Sequence, residues 1–373
     1  MPSQFIHGST STGSQGRDQA DVNKGHHTFD STERQNRFYS ILSRGWEQQY
    51  TEYRKQWHEN GRSKHVPDYP LCVDIELSSA CNLACPMCYT TTEHFKENVT
   101  RKNMSYDLFT KIIDEVAGHT SSIRLSWRGE PMLNPNYIEC VRYAKSKGIR
   151  EVSNLTNGTY LDIETFAQLA DAGMDWITVS IDGMLDEYDN IRAPLKFQDT
   201  YRRILEIAYY KKKNNLVKPL IKIQGVWNAI APDPQLFYDI FKPISDLIAF
   251  NPLIDYLGKD ELSQIVYEDN FTCPKQYQRL FIGSDGRASV CNADEFNSHY
   301  IGSAVTETIH EIWHGELMSK FRAQQSEKDG FKQYEMCQRC FYPRQVEYEV
   351  VGEVDGRPIA LENYIGRTQK IGS

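Results

Sequence analysis

The chain has 373 residues, enough for one large α/β domain and a smaller one. Its 40% apolar and 25% charged residues are ordinary for a globular protein, and a formal charge of −8 (42 basic, 50 acidic) gives no support for nucleic-acid binding. No run approaches the roughly 20 apolar residues of a membrane span, and the N-terminal stretch through His27 lacks a secretory apolar segment. A cytoplasmic protein with no membrane and no nucleic-acid partner is expected.

Residues 1–32, rich in Ser, Thr, Gly and Gln, predict a disordered tail. Residues 33–69 predict an N-terminal helical segment, capped by Ser31 or Thr32 and ended by the Pro67–Pro70 region. A regular alternation follows over 70–257. Strands are predicted at 71–77, 122–127, 151–158, 176–182, 219–227 and 247–253. Helices are predicted between them at 104–117, 136–148, 163–173, 200–214 and 234–245, with Ser105 as a cap and Gly148 and Gly173 as stops. Six such units make a partial (β/α) barrel or an open curved sheet, with chemistry at the C-terminal strand ends.

After residue 258 the alternation stops. A hairpin turning on Ser284-Asp285-Gly286, a helix over 310–325 and further turns make a separate small module over 258–345. A second hairpin around Asp355-Gly356, with a tail, occupies 346–373.

Seven of the nine cysteines fall into two sets, which in an intracellular chain points to metal binding. Cys81, Cys85 and Cys88 form a C-x3-C-x2-C run in the loop after the first strand. Three thiolates on a four-iron cluster leave one iron open to bind and activate a molecule, whereas a zinc ion would need a fourth ligand such as His94. Cys273, Cys291, Cys337 and Cys340 form a C-x17-C-x45-C-x2-C set that can fully ligate either an iron–sulfur cluster or one zinc ion. Cys72 and Cys140 read as buried small hydrophobes.

The first run resembles the signature of the radical S-adenosylmethionine (SAM) superfamily, in the place where that family keeps it, and the resemblance covers about 70–255. It implies an α/β fold with a partial (β/α)6 radical SAM barrel and a 4Fe–4S cluster on Cys81, Cys85 and Cys88. It also implies SAM chelated to the open iron and reductive cleavage to a 5′-deoxyadenosyl radical that abstracts hydrogen from a substrate. Met87 stands where the family often has an aromatic. Arg128-Gly129-Glu130-Pro131 resembles the family's GGE-type motif with Arg for the first Gly, so Gly129 and Glu130 are expected at the methionyl ammonium. By the same resemblance Asn157 and Ser180 belong near SAM, Arg192 pairs with its carboxylate, and Gln224 and Asn228 touch adenine or substrate. Asp182 reads as a loop-ordering carboxylate.

The region around the second set resembles the SPASM and shorter twitch modules appended to radical SAM domains. That implies a small C-terminal iron–sulfur module of short strands and a helix, with one auxiliary 4Fe–4S cluster, hence two clusters in all. The expected activity is a radical SAM oxidoreductase or epimerase acting on a small polar metabolite: a sugar, aminocyclitol or nucleotide-sugar. A flavodoxin or ferredoxin is the expected electron donor. No spare cysteine is placed to return a hydrogen atom, which tilts the reading toward oxidation. The alternatives are a maturase of ribosomally made peptides and a zinc-stabilised binding protein.

Overall fold

The computed structural model describes residues 27–365 and Ile371. All six predicted strands are present: β2 (Cys72–Ile75), β3 (Ser122–Arg124), β4 (Glu151–Thr156), β5 (Trp176–Ser180), β6 (Leu220–Val226) and β7 (Leu247–Asn251), after a short β1 (His27–Thr28). They pair in parallel in chain order from β2 to β7, while β1 pairs antiparallel to β7. Residues 27–32, placed in the disordered tail by composition, belong to the fold. Phe29 is buried among Trp227, Phe237, Tyr238 and Phe250, and the buried Asp30 carboxylate accepts from the Ile248 N–H at 2.6 Å. The polar stretch ahead of them outweighed one aromatic in the average. The rest of the tail, 1–26, lies outside the described residues.

The helical segment is two helices, Thr32–Leu42 and Glu47–Ser63, hinged at Gly45. Ser31 caps the first, Ser105 caps Tyr106–Val116, and Gly173 ends Ile163–Ala172 in the left-handed conformation. The helix predicted over 310–325 is also two, Ile309–His314 and Glu316–Gln325. Gly315 between them is extended, and a Cβ there would stand 2.9 Å from the Glu311 carbonyl.

Within the strands, side chains alternate between two faces. Val73, Ile75, Ile123, Ile177, Val179, Ile221, Ile223, Ile248 and Phe250 join one core cluster with Phe109, Val141, Phe166, Ile204 and Phe237 from the helices. The helices therefore cover one face. Asp74, Arg124, Ser180, Lys222 and Gln224 hold the alternate positions, on the concave face. Arg124, Leu155, Gln224, Val226 and Asn251 are half-buried on this face, while Asp74, Ser180 and Lys222 are buried.

The sheet does not stop where the alternation stops. β8 (Arg279–Ile282) pairs in parallel with β2, and β9 (Arg287–Ser289) and β10 (Tyr300–Ser303) continue antiparallel from it. The module drawn as separate thus extends the barrel's sheet, giving ten strands among the described residues. The C-terminal hairpin, β11 (Val346–Val354) and β12 (Arg357–Tyr364), forms a sheet of its own and turns on Asp355 and Gly356, both at positive φ. No helix among the described residues is long and apolar enough to cross a membrane.

Candidate functional site

The first cysteine loop leaves β2 at its C-terminal end. A tight turn brings the Cys88 N–H to the Cys85 carbonyl at 3.0 Å, and the Leu83 N–H points at the Cys81 sulfur at 3.5 Å. Leu83 and Met87 pack with Ile191, Ala229 and Leu253, so the loop's apolar side chains wall it against the barrel mouth. Met87, at the position where the family often has an aromatic, is a buried, adaptable apolar side chain. Burial raises the Cys81 thiol and pushes Cys85 up to about 11, with Arg192 opposing. Such thiols hold their protons until a metal displaces them.

The predicted strand-end residues converge beside this loop. The Asn157 side chain donates to Asn82 at 2.9 Å and lies 3.9 Å from the Cys81 sulfur, while Asn82 donates to Thr159 at 2.9 Å. Glu130 is buried, and its carboxylate accepts from the Thr156 hydroxyl at 2.7 Å, the Asn157 N–H at 2.8 Å and the Met132 N–H at 3.1 Å. Burial raises this carboxyl; the three donors oppose it. Gly129 has φ +62°, and a Cβ there would stand 2.5 Å from the carbonyls of both Ser78 and Ala80. Only glycine lets these two strand-end loops touch. Ser180 is buried on the concave face at the end of β5.

Arg192, expected on an incoming carboxylate, is held by one from its own chain. Its Nε donates to Asp182 at 2.8 Å, and the other Asp182 oxygen accepts from the Val226 N–H at 2.9 Å. Asp182 thus orders the loop as predicted, and Arg192 stands near Cys85 as an oriented cation. Gln224 and Asn228 lie at the end of β6 and just past it.

Sequence reasoning missed the group that joins the two cysteine regions. Arg128 and Glu76 are both buried and form a two-pronged ion pair, Nη2 to Oε2 at 2.8 Å. Arg128 also donates to the Glu295 carbonyl at 3.1 Å, and Glu76 accepts from the Ser284 N–H at 2.9 Å. The Arg that replaces the first Gly of the motif thereby ties the barrel to the C-terminal module. The only signal in sequence was the departure itself. Lys222 and Arg124 were missed too. Burial pulls the Lys222 ammonium down to about 7, with neighbouring Arg124 adding to the effect. Arg124 donates to Ser126 at 3.1 Å and has no carboxylate within ion-pair distance among the described residues.

Cys273, Cys291, Cys337 and Cys340 line one small cavity with Phe271, Val290, Phe321, Met336 and Tyr342. Burial pushes Cys273 to about 12 and Cys340 to about 11. Four thiols on one cavity supply a full ligand set for an iron–sulfur cluster or for one zinc ion. Cys72 and Cys140 are buried, each pushed to about 12, and Cys72 begins β2, at the end away from the loop.

A cleft of about 570 Å³ lies between Thr92 and His94 of the first loop's extension, residues 254–258, and the module's 292–296 and 339–341, reaching Cys340. Tyr256 stands on its wall, edge-on to Tyr89 at 5.2 Å.

The Radical SAM superfamily profile matches residues 75–224, and that of the SPASM iron–sulfur cluster-binding domain matches 273–341. A tungsten-containing aldehyde ferredoxin oxidoreductase cofactor-modifying protein of Pyrococcus furiosus is 30% identical over 156 residues, 41% of this chain and 42% of that protein. The chain therefore matches less than half of that curated relative. Among solved structures, BtrN in complex with AdoMet and 2-DOIA aligns at TM-score 0.52 and 16% identity, covering 74% of this chain and 94% of that one. Streptococcus suis SuiB bound to S-adenosylmethionine aligns at TM-score 0.53 and 14% identity, covering 78% and 76%. At these identities the likeness is one of fold.

Proposed function

We propose that this chain, which belongs to the radical SAM superfamily and carries a C-terminal SPASM module, with 4Fe–4S clusters and SAM as its cofactors, oxidises a small polar metabolite such as a sugar, aminocyclitol or nucleotide-sugar. In this reading Cys81, Cys85 and Cys88 hold the SAM-binding cluster, and Cys273, Cys291, Cys337 and Cys340 hold an auxiliary one. The chemistry that the first cluster and SAM supply when bound is reductive cleavage of SAM to a radical that removes a hydrogen atom from the substrate.

The chain's own residues do the positioning. Gly129 lets the loop after β3 close on the cysteine loop. Glu130 and Asn157 fix the end of β4 beside Cys81, and Glu130 stands ready for the methionyl ammonium. Arg192, oriented by Asp182, places a cation for the SAM carboxylate, and Ser180 lines the same mouth. Leu83, Met87 and Leu253 keep water from the reacting end.

The observation that carries the substrate class is the concave face of the sheet. It carries Arg124, Lys222, Gln224 and Asn251 at its alternate positions, side chains of the kinds that bind hydroxyls, amides or anions. Oxidation is favoured over epimerisation because neither spare thiol reaches the mouth. Epimerisation would need another hydrogen donor.

The test is 5′-deoxyadenosine formation by the anaerobically reconstituted protein, with a low-mass polar metabolite fraction and with a peptide fraction. Stimulation by the first, with a product two mass units lighter than its substrate, is the expected result. Stimulation by peptides alone would replace this reading with that of a peptide maturase.

A further inference from the structure

We propose that Asp68, His310 and His314 form a binding site for a zinc-class divalent transition ion, which fastens the C-terminal module to the segment that leads into β2. The three ligand atoms all lie within 4.8 Å of one another. His310 Nε2 is 3.1 Å from the Asp68 carboxylate, and His314 Nε2 is 2.9 Å from the Asp68 backbone carbonyl. Both imidazoles thus aim the same nitrogen at one residue.

The scaffold beneath them is stiff. His310 and His314 are four residues apart on the helix Ile309–His314, so they share one face. Ile309, Ile312 and Trp313 of that helix are buried, and the Trp313 indole donates to the Pro67 carbonyl at 2.8 Å. A capping box between Thr308 and Glu311 fixes the helix start. Rings guard the pair: His310 lies 4.5 Å from the His314 ring and 5.2 Å from Tyr69, which stacks on His119 at 4.1 Å.

The donors select the ion. Two imidazole nitrogens and one carboxylate suit Zn²⁺, Co²⁺ or Ni²⁺, whereas Mg²⁺ and Ca²⁺ take oxygen ligands. Bonds of about 2.0–2.1 Å put tetrahedral ligand atoms about 3.4 Å apart. The side chains need to close by about 1.5 Å at most, and all three are at least partly exposed and able to turn. Each neutral ring, whose Nε2–H now donates to Asp68, would move its proton to Nδ1 and exchange that hydrogen bond for a bond from Nε2 to the ion. Water completes the fourth position. Asp68 lies ahead of β2, at the end of the strand away from Cys81, so the ion would act on attachment of the module and not on the reacting atoms.

The test uses reconstituted, iron-replete protein washed with EDTA, so that the cysteines are occupied. Zn²⁺ alone is titrated in competition with a fluorescent chelator. Expected is about one zinc ion per chain, with His310→Gln and His314→Gln each weakening binding roughly tenfold or more. Zinc should also raise the melting temperature of the unmutated chain and not that of the double variant. No retained zinc, or equal zinc in the unmutated and doubly substituted chains, overturns the proposal. Should the double variant lose iron, and with it its fold, Asp68→Ala carries the same comparison from a side chain that is 77% exposed; unchanged zinc binding there overturns it equally.

Discussion

The two cysteine regions are built in opposite ways. Cys81, Cys85 and Cys88 come from one short loop at the mouth of the barrel, and polar groups surround it: Asn82, Asn157, Glu130 and the Asp182–Arg192 pair. Cys273, Cys291, Cys337 and Cys340 come from distant segments and close on a cavity walled by Phe271, Val290, Phe321 and Tyr342. The polar groups beside the first three thiols suit a ligand that brings an ammonium and a carboxylate. The apolar walls around the four offer fewer such partners. On the proposed reading the first region exchanges small molecules and the second holds its cluster.

The largest expected effect separates the two. Replacing Cys81, Cys85 and Cys88 together by alanine should abolish SAM cleavage and halve the iron per chain, from about eight to about four. Cys337→Ala should instead lower iron at the second site while SAM cleavage without substrate persists. If both variants lost SAM cleavage equally, the division of labour drawn here would be wrong. Iron content and 5′-deoxyadenosine, measured anaerobically, decide it.

Next in size is Arg128→Ala, which removes one member of the buried pair that joins the regions. Glu76 would be left buried without its partner, at a cost of about 3–5 kcal/mol. Denaturant unfolding should show it, and iron at the second site should become easier to remove. Arg128→Lys keeps the charge but not the two-pronged geometry, and should fall between. Gly129→Ala should also destabilise. The left-handed backbone alone contributes about 1–2 kcal/mol, and the new Cβ must push against the Ser78 and Ala80 carbonyls. Its main readout is SAM affinity, since the contact it spreads sets the position of the cysteine loop.

Much of this was legible in the sequence, for physical reasons. Strands β2, β5 and β6 write their buried face as alternate Ile and Val, and the first cysteine run is contiguous, so both survive inspection of a single stretch. What was not legible depends on pairing across long separations. Nothing local in Arg279–Ile282 says that it will lie parallel to β2. The same holds for Arg128, whose partners Glu76 and Glu295 are far from it in the chain. Phe29 was hidden by its polar neighbours. Gly315 was absorbed into a helical period that the chain breaks there.

The smallest effect concerns the cleft between the regions. Glu295 sits in its wall, half-buried, and burial raises its carboxyl to about 8, with nearby Asp294 adding to the rise and Arg128 and Lys275 opposing it. Between the ordinary carboxylate range near 4.5 and this value, the folded chain holds a proton that the unfolded chain has released. Stability should therefore fall as pH rises through that window, because unfolding there releases protons. Glu295→Gln keeps the shape and removes the titration, so its denaturant midpoint should decline less between pH 5 and pH 8 than that of the unmutated protein. A parallel decline in both proteins would mean that the cleft is wetter than its walls suggest. It would then differ from the apolar cavity that Cys340 also lines.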